Sequence, residues 1–358
     1  MKQRLENTFT DLIKINEVYP NEDKIIEYVE NRLTKESVSW QEDGFRNIIA
    51  KIPGVGEPLM LCTHLDIPES APDVKYEKEN GILRSAGNGI LGADPKSGLA
   101  VLIELLIDLN KTNPKTHVPV EVVLTRGEET GLFGARNLDY SLVQSKMGIV
   151  LDEDGPVTNI VTQAPAYVRV DATVIGKAAH PRDPNDGINA LKVACETLVK
   201  IPWGYSTKGV TWNVGLLSSG TARNTIPGSV EIKAELRSFD TALVVKEGEK
   251  IDRIFMDVCD SHGASCNFVQ ELEFDGYKLE KTHPLFKKLE KTFETLKLIP
   301  NFYPTFGGSD ANIFNSQGIT TISIGSGYYN AHQYSEYVNL NDMVEIVEFL
   351  KAFLKRNT

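Results

Sequence analysis

The chain has 358 residues, 41% hydrophobic and 24% charged, the composition of an ordinary globular protein with room for a sizeable core. Its net charge of −11 argues against nucleic acid or an anionic membrane as partner, and no run of Lys or Arg reverses that. Cys62, Cys195, Cys259 and Cys266 form no CxxC pair, the start MKQRLENTFTDL has no apolar signal core, and no stretch nears the ~18 apolar residues of a membrane span; together these point to a soluble, cytoplasmic protein.

Residues 1–34 carry two amphipathic helical patterns, the second opened by Asn21 as capping residue of NEDKIIEYVENRL. Three strand-like runs follow: FRNIIAKI, PLMLCTH and the hairpin-like VKYEKENGILRS. The apolar period then predicts a helix from Lys96 to Leu109. A buried strand, VPVEVVLT, leads to Glu128 and Glu129, a short helix and another buried strand, GIVLD. Strands that alternate with helices and read as near-continuous apolar runs predict an α/β fold with a mixed, largely parallel sheet flanked by helices.

The character changes after Ala164. YVRVDATVIG, TWNVGLLSS and SVEIKAELRS read as strands, GINALKVACETLVKIP and Thr241–Ser261 as helices. Such strand–helix blocks predict a small inserted α+β lid over residues 165–275, between catalytic segments 1–164 and 276–358. Within it, Arg237 reads as an ion-pair residue and ELEFD as a solvated strand end. HPLFKKLEKTFETLKL restarts the helix-on-sheet pattern, so His332 must return to the same sheet as His64.

An apolar strand ending in His64-x-Asp66 places both side chains on one face. One can bind a metal while the other holds the imidazole tautomer. Asp94 in LGADPKSG, Glu128 and Glu129 in TRGEETG, Asp152 in VLDED and His332 in YYNAHQYSEYV follow at wide spacing. His64, the Glu pair and Asp152 all fall at the C-terminal ends of expected strands, where open α/β sheets place ligands. Two imidazoles and three carboxylates suit Zn2+ first, with Co2+ or Mn2+ compatible. Three converging carboxylates without cations would repel strongly, which argues for two divalent ions. Adjacent Glu128 and Glu129 cannot point the same way from an extended backbone, so one can ligate while the other acts as general base. Asp152 is the expected ligand of the run Asp152–Asp154. His117, His262 and His283, in polar connecting segments, read as ordinary histidines.

These motifs, with AAHP, NTIPG and GGSD in the same order, resemble the co-catalytic metallopeptidase family of peptidase T, glutamate carboxypeptidase, succinyl-diaminopimelate desuccinylase and aminoacylase. The resemblance covers essentially the whole chain, and GADPKSG, GSGYYNAHQYSEYV and the short lid are most similar to the peptidase T branch. It implies a phosphorylase/hydrolase-like catalytic fold and hydrolysis of short peptides, foremost as a tripeptide aminopeptidase. Carboxypeptidase, dipeptidase or N-acyl amino acid deacylase chemistry at the same site is the nearest rival, and a non-catalytic peptide- or metal-binding protein a remote one. It further implies Asp94 as bridging ligand, His64 and Asp152 on one ion, Glu129 and His332 on the other, Glu128 as base, and Asp66 orienting His64. His180 and Asn224 of the lid, with Gly307, Gly308 and Ser309, match substrate-contacting positions. In dimeric relatives the lid histidine comes from the partner subunit, so a homodimer through the lid domain is a second expectation. Many relatives carry a second Asp after the bridge, where this chain has Pro95; the family's cis peptide there is expected at Asp94–Pro95.

Overall fold

The computed structural model describes residues 1–70, 74–87, 89–206 and 208–356, which form two compact units. One comprises Met1–Gln163, Lys278–Pro304 and Ser309–Thr358; the other comprises Ala164–Tyr277 and Thr305–Gly308. The chain begins with α1 (Lys2–Leu12), α2 (Asp23–Lys35), β1 (Ser39–Glu42), β2 (Ile48–Ile52), β3 (Leu59–His64), β4 (Tyr76–Glu79), β5 (Ile82–Ser85) and α3 (Ala93–Asn110). It continues with β6 (Val120–Thr125), α4 (Phe133–Arg136), β7 (Met147–Glu153) and β8 (Asn159–Ala164). The second unit holds β9 (Ala166–Ile175), α5 (Ala190–Val199), β10 (Gly204–Tyr205), β11 (Val210–Ser219), β12 (Ser229–Ser238), α6 (Thr241–Ser261) and β13 (Ser265–Phe274). After β14 (Tyr277–Lys278) come α7 (Pro284–Leu296), β15 (Asn301–Pro304), α8 (Asp310–Ser316), β16 (Thr320–Gly325), β17 (Tyr328–Tyr329), β18 (Tyr337–Asn339) and α9 (Leu340–Leu354).

The sheet of the first unit runs β1-β2-β6-β3-β7-β16-β8. Its centre is parallel, β6 to β3, β3 to β7 and β7 to β16, while β2 and β8 join antiparallel on either side. Every residue of β3 and β6 is buried, as expected of strands covered on both faces. The mixed, largely parallel sheet expected from the apolar runs is therefore present. A smaller sheet, β17-β18-β5-β4, contains the expected hairpin, whose Asn80–Gly81 turn has both φ values positive, +51° and +84°.

Two helix starts differ from the sequence expectation. Asn21 does not cap α2; the N-terminal N–H groups of Lys24 and Ile25 are accepted by the Glu17 carboxylate from outside the helix, at 2.7 and 3.1 Å. Helical structure around α3 begins at Ala93 rather than Lys96, but Asp94 itself stays non-helical at φ −82°, ψ 116°.

The second unit is an antiparallel sheet, β10-β11-β12-β9-β13, with α5 and α6 packed on one face. Alternation along β9 and β12 buries Val168, Val170, Val174, Val230, Ile232 and Leu236 against Val193, Phe255 and Val258 of the helices. The opposite face carries charged residues among exposed Ile175, Leu216 and Val269. There Glu271 and Glu273 pair with Arg169, at 2.5 and 2.9 Å, so the acidic strand end is ion-paired rather than simply solvated. Arg237 pairs with Glu235 at 3.1 Å, donates to the Phe306 carbonyl at 2.9 Å and lies over the Tyr167 ring.

Candidate metal centre

Parallel pairing of β3 with β6 and with β7 brings three strand ends together, with His64 opposite Thr125. His64 closes β3, Asp152 is the penultimate residue of β7, and Glu128 and Glu129 follow β6 across Arg126–Gly127. Gly127 has φ +58°, and a Cβ there would lie 2.6 Å from the Tyr19 ring, so the turn that delivers the Glu pair admits only glycine. Asp94 comes from the mouth of α3 and His332 from the loop between β17 and β18.

His64 Nε2 lies 3.0 Å from Asp94 Oδ1 and 3.5 Å from Asp152 Oδ1. His332 Nε2 lies 3.3 Å from Asp94 Oδ2 and 2.9 Å from Glu129 Oε1. The two oxygens of Asp94 thus face two different imidazoles, each accompanied by a further carboxylate. Donor atoms of His64, Asp94 and Asp152, and those of Asp94, Glu129 and His332, lie within 4.8 Å of one another, as do those of His64, Glu128 and Glu129.

The electrostatics of the cluster follow from burial and like charge. Burial and the charge of Asp152 push the Glu128 carboxyl well above its ordinary range. Burial likewise raises Asp152 and Glu129. The imidazoles respond in the opposite sense. Contacts with Asp94 and Glu129 push His332 up to about 10. Burial alone would lower His64, but Asp152, Asp66 and Asp94 outweigh it and hold the ring well above its usual value. Carboxylates in excess of cations, with oxygen and imidazole donors converging, fit a site for divalent ions.

Asp66 is fully buried and belongs to none of these donor groups. His64 Nδ1 donates to the Asp66 carbonyl at 3.1 Å, with carboxylate Oδ1 at 3.4 Å. The carboxylate's closer partners are the backbone N–H groups of Glu128 and Glu129, at 2.9 and 3.2 Å. Asp66 therefore anchors the Glu pair as well as the imidazole.

The Asp94–Pro95 peptide is cis, as expected. Ser309 is buried, and its hydroxyl accepts the Ala311 N–H as N-cap of α8 while bonding Ser323 Oγ at 2.9 Å. Gly308 belongs to the second unit, where a Cβ would meet the Phe274 ring at 2.3 Å. His180 and Asn224 are exposed on that unit, with His180 Nδ1 accepting the Arg182 N–H. His283 caps α7, His262 pairs with Glu196, and His117 is buried with Nδ1 on the Val118 carbonyl.

Two supporting acids escaped the sequence reading. Glu22, with no exposed surface, accepts from Arg126 and from the Gly127 N–H at 3.0 Å. Glu336, 1% exposed, accepts from the amides of Gly92 and Asp94. Glu22 stands beside Asp23 at the start of α2 and Glu336 within the YYNAHQYSEYV run that carries His332, but residue type alone shows neither one's backbone partners.

Residues 61–356 match the model of peptidase family M20/M25/M40. Uncharacterized protein YqjE of Bacillus subtilis is 29% identical, with 99% of this chain and 98% of that one aligned. A tripeptidase structure from Staphylococcus aureus superposes with TM-score 0.91 at 28% identity, covering 99% of this chain and 98% of that one. The aminopeptidase PepT of Bacillus cereus does so with TM-score 0.87, also at 28% identity and the same coverage. The chain belongs to peptidase family M20/M25/M40, is a peptidase T-like hydrolase of peptide bonds, and carries this cluster where its parallel strands end.

Proposed function

We propose that this protein is an aminopeptidase for short peptides, tripeptides foremost, working with two divalent cations, Zn2+ first. The observation that carries the reading is the single carboxylate of Asp94 presented to two imidazole-bearing donor sets. His64 and Asp152 would hold one ion, Glu129 and His332 the other, with Asp94 between them. Bound there, the pair supplies the positive charge that acidifies water and polarises a scissile carbonyl.

Glu128 is the general base. Its side chain is 9% exposed, so it is shielded from bulk solvent while remaining reachable, and burial keeps it a better proton acceptor than a surface carboxylate. It takes the proton of the attacking water and returns it to the leaving amine nitrogen. Asp66 fixes the backbone from which Glu128 and Glu129 diverge. His180 and Asn224 are assigned to the developing oxyanion, and Gly307, Gly308 and Ser309 to lining the substrate site. The tripeptide preference is supported by the likeness to a tripeptidase and to an aminopeptidase.

A panel of free tripeptides, N-acetylated tripeptides, C-terminally amidated tripeptides, dipeptides and N-acyl amino acids tests this. Free and amidated tripeptides should be cut and N-blocked substrates spared. Cleavage of N-acyl amino acids with tripeptides untouched would assign the same centre to deacylation. His180→Ala should lower kcat about 10²-fold, as loss of one oxyanion donor does.

A further inference from the structure

We propose that Glu336 is a positioning residue for the metal centre: its buried carboxylate fixes the peptide that presents Asp94 and ties it to the loop that carries His332. The proposal rests on the metal-centre reading above.

Asp94 sits at a helix mouth, where N–H groups have no partner within the helix. Gly92, the N-cap position of α3, is left-handed at φ +69° and offers no side chain, and Asp94 is held out of helical geometry. Such a stretch would be free to choose among conformers were its amides not claimed. Glu336 claims them. Oε2 accepts the Gly92 N–H at 2.7 Å, and Oε1 accepts the Asp94 N–H at 3.1 Å. A carboxylate does this with both oxygens at once, which neither a hydroxyl nor an amide can match. At 1% exposure the bonds are shielded from water.

The other end of the clamp is equally fixed. Glu336 lies four residues after His332, its own N–H donates to the Gln333 carbonyl at 2.9 Å, and its carbonyl accepts the Ser85 N–H at 3.1 Å. The loop bearing one imidazole and the turn bearing the shared carboxylate are thus joined through one side chain. The 3.3 Å approach of His332 Nε2 to Asp94 Oδ2 depends on that join. The Lys96 side chain, with no exposed surface, lies in the same pocket. A Cβ on Gly92 would stand 3.0 Å from its Nζ, so this pocket is closely filled. Glu336 is not among the donor groups, and acts on the ions only through Asp94 and His332.

The test compares wild type, Glu336→Gln and Glu336→Asp after metal removal and reloading with Co2+. Cobalt affinity is read by chelator competition, site geometry by the visible d–d spectrum, and fold by thermal melting of the metal-free protein. Gln keeps one acceptor and turns an NH2 toward an amide N–H; Asp keeps the charge but falls one methylene short. Glu336→Gln should bind Co2+ about 10- to 100-fold more weakly with an altered spectrum, and Glu336→Asp should fall between. Unchanged cobalt affinity and spectrum, whatever the melting temperature, would make Glu336 a mere helix cap and overturn the proposal. Should Glu336→Gln fail to fold, the same readouts on Glu336→Asp decide. Wild type that takes up no Co2+ would overturn the metal-centre reading itself, and this proposal with it.

Discussion

Glu128 and Glu129 show how two identical neighbours come to differ. Both N–H groups are fixed by Asp66, so the backbone is held while the side chains diverge. Glu129 goes to His332, at 2.9 Å. Glu128 lies within 4.8 Å of His64 in a separate donor group, and burial with the charge of Asp152 pushes its carboxyl well above its ordinary range. Glu128→Gln should therefore lower kcat about 10³-fold while elemental analysis finds the same metal content as wild type. Retained turnover in that variant would remove Glu128 from the mechanism. Asp66→Asn keeps the shape but weakens the acceptor for two amides, and a 10- to 100-fold loss in kcat is expected with KM little changed. Loss confined to KM would instead point to a role in substrate binding.

At the scale of elements, the catalytic strands rest on helices that ion pairs lock together. Glu104 of α3, without exposed surface, accepts from Arg4 and Thr8 of α1, each at 2.6 Å, and from Arg32 of α2 at 3.0 Å. Asp108, one turn on, accepts from Arg4 and from Lys351 of α9, both at 2.6 Å. Burial alone would raise the Asp108 carboxyl, but its bonds to Lys351 and Arg4 outweigh this and leave it below its ordinary value. A carboxyl lowered by folding stabilises fully above its unfolded pKa and loses that contribution as pH falls through the folded one. Asp108→Asn should therefore cost about 1 kcal/mol at neutral pH, and its melting curve should converge on wild type in acid. A difference that persists unchanged at low pH would show that packing, not charge, is lost.

For the whole molecule, much of the architecture was legible because burial writes it into the chain. VPVEVVLT and PLMLCTH are mostly apolar because β6 and β3 are covered on both faces, and GIVLD reaches Asp152 where β7 nears its end at the site. The convergence of His64, Asp94, Glu129, Asp152 and His332 was legible from residue type and order. What holds them was not. Glu22 and Glu336 look like solvated acids in sequence, and only the approach of distant loops gives each a backbone amide to accept. Asn21 looked like a cap because its neighbours suit one, yet Glu17 reached the helix amides first. Asp310, the last residue of the GGSD motif, was not assigned a role: burial pushes its carboxyl up to about 7, with the Thr125 hydroxyl donating to it. Among the described residues no helix is long and apolar enough to cross a membrane.

The central claim is a peptide-cleaving centre that needs two cations bridged by Asp94. Its most direct test is hydrolysis of a free tripeptide by metal-stripped protein titrated with Zn2+. The stripped chain should be inactive, activity should return and saturate at two equivalents per chain, and Asp94→Asn should weaken uptake of both ions. Full turnover by the stripped protein, or saturation with Zn2+ and no cleavage of any short peptide, would contradict it.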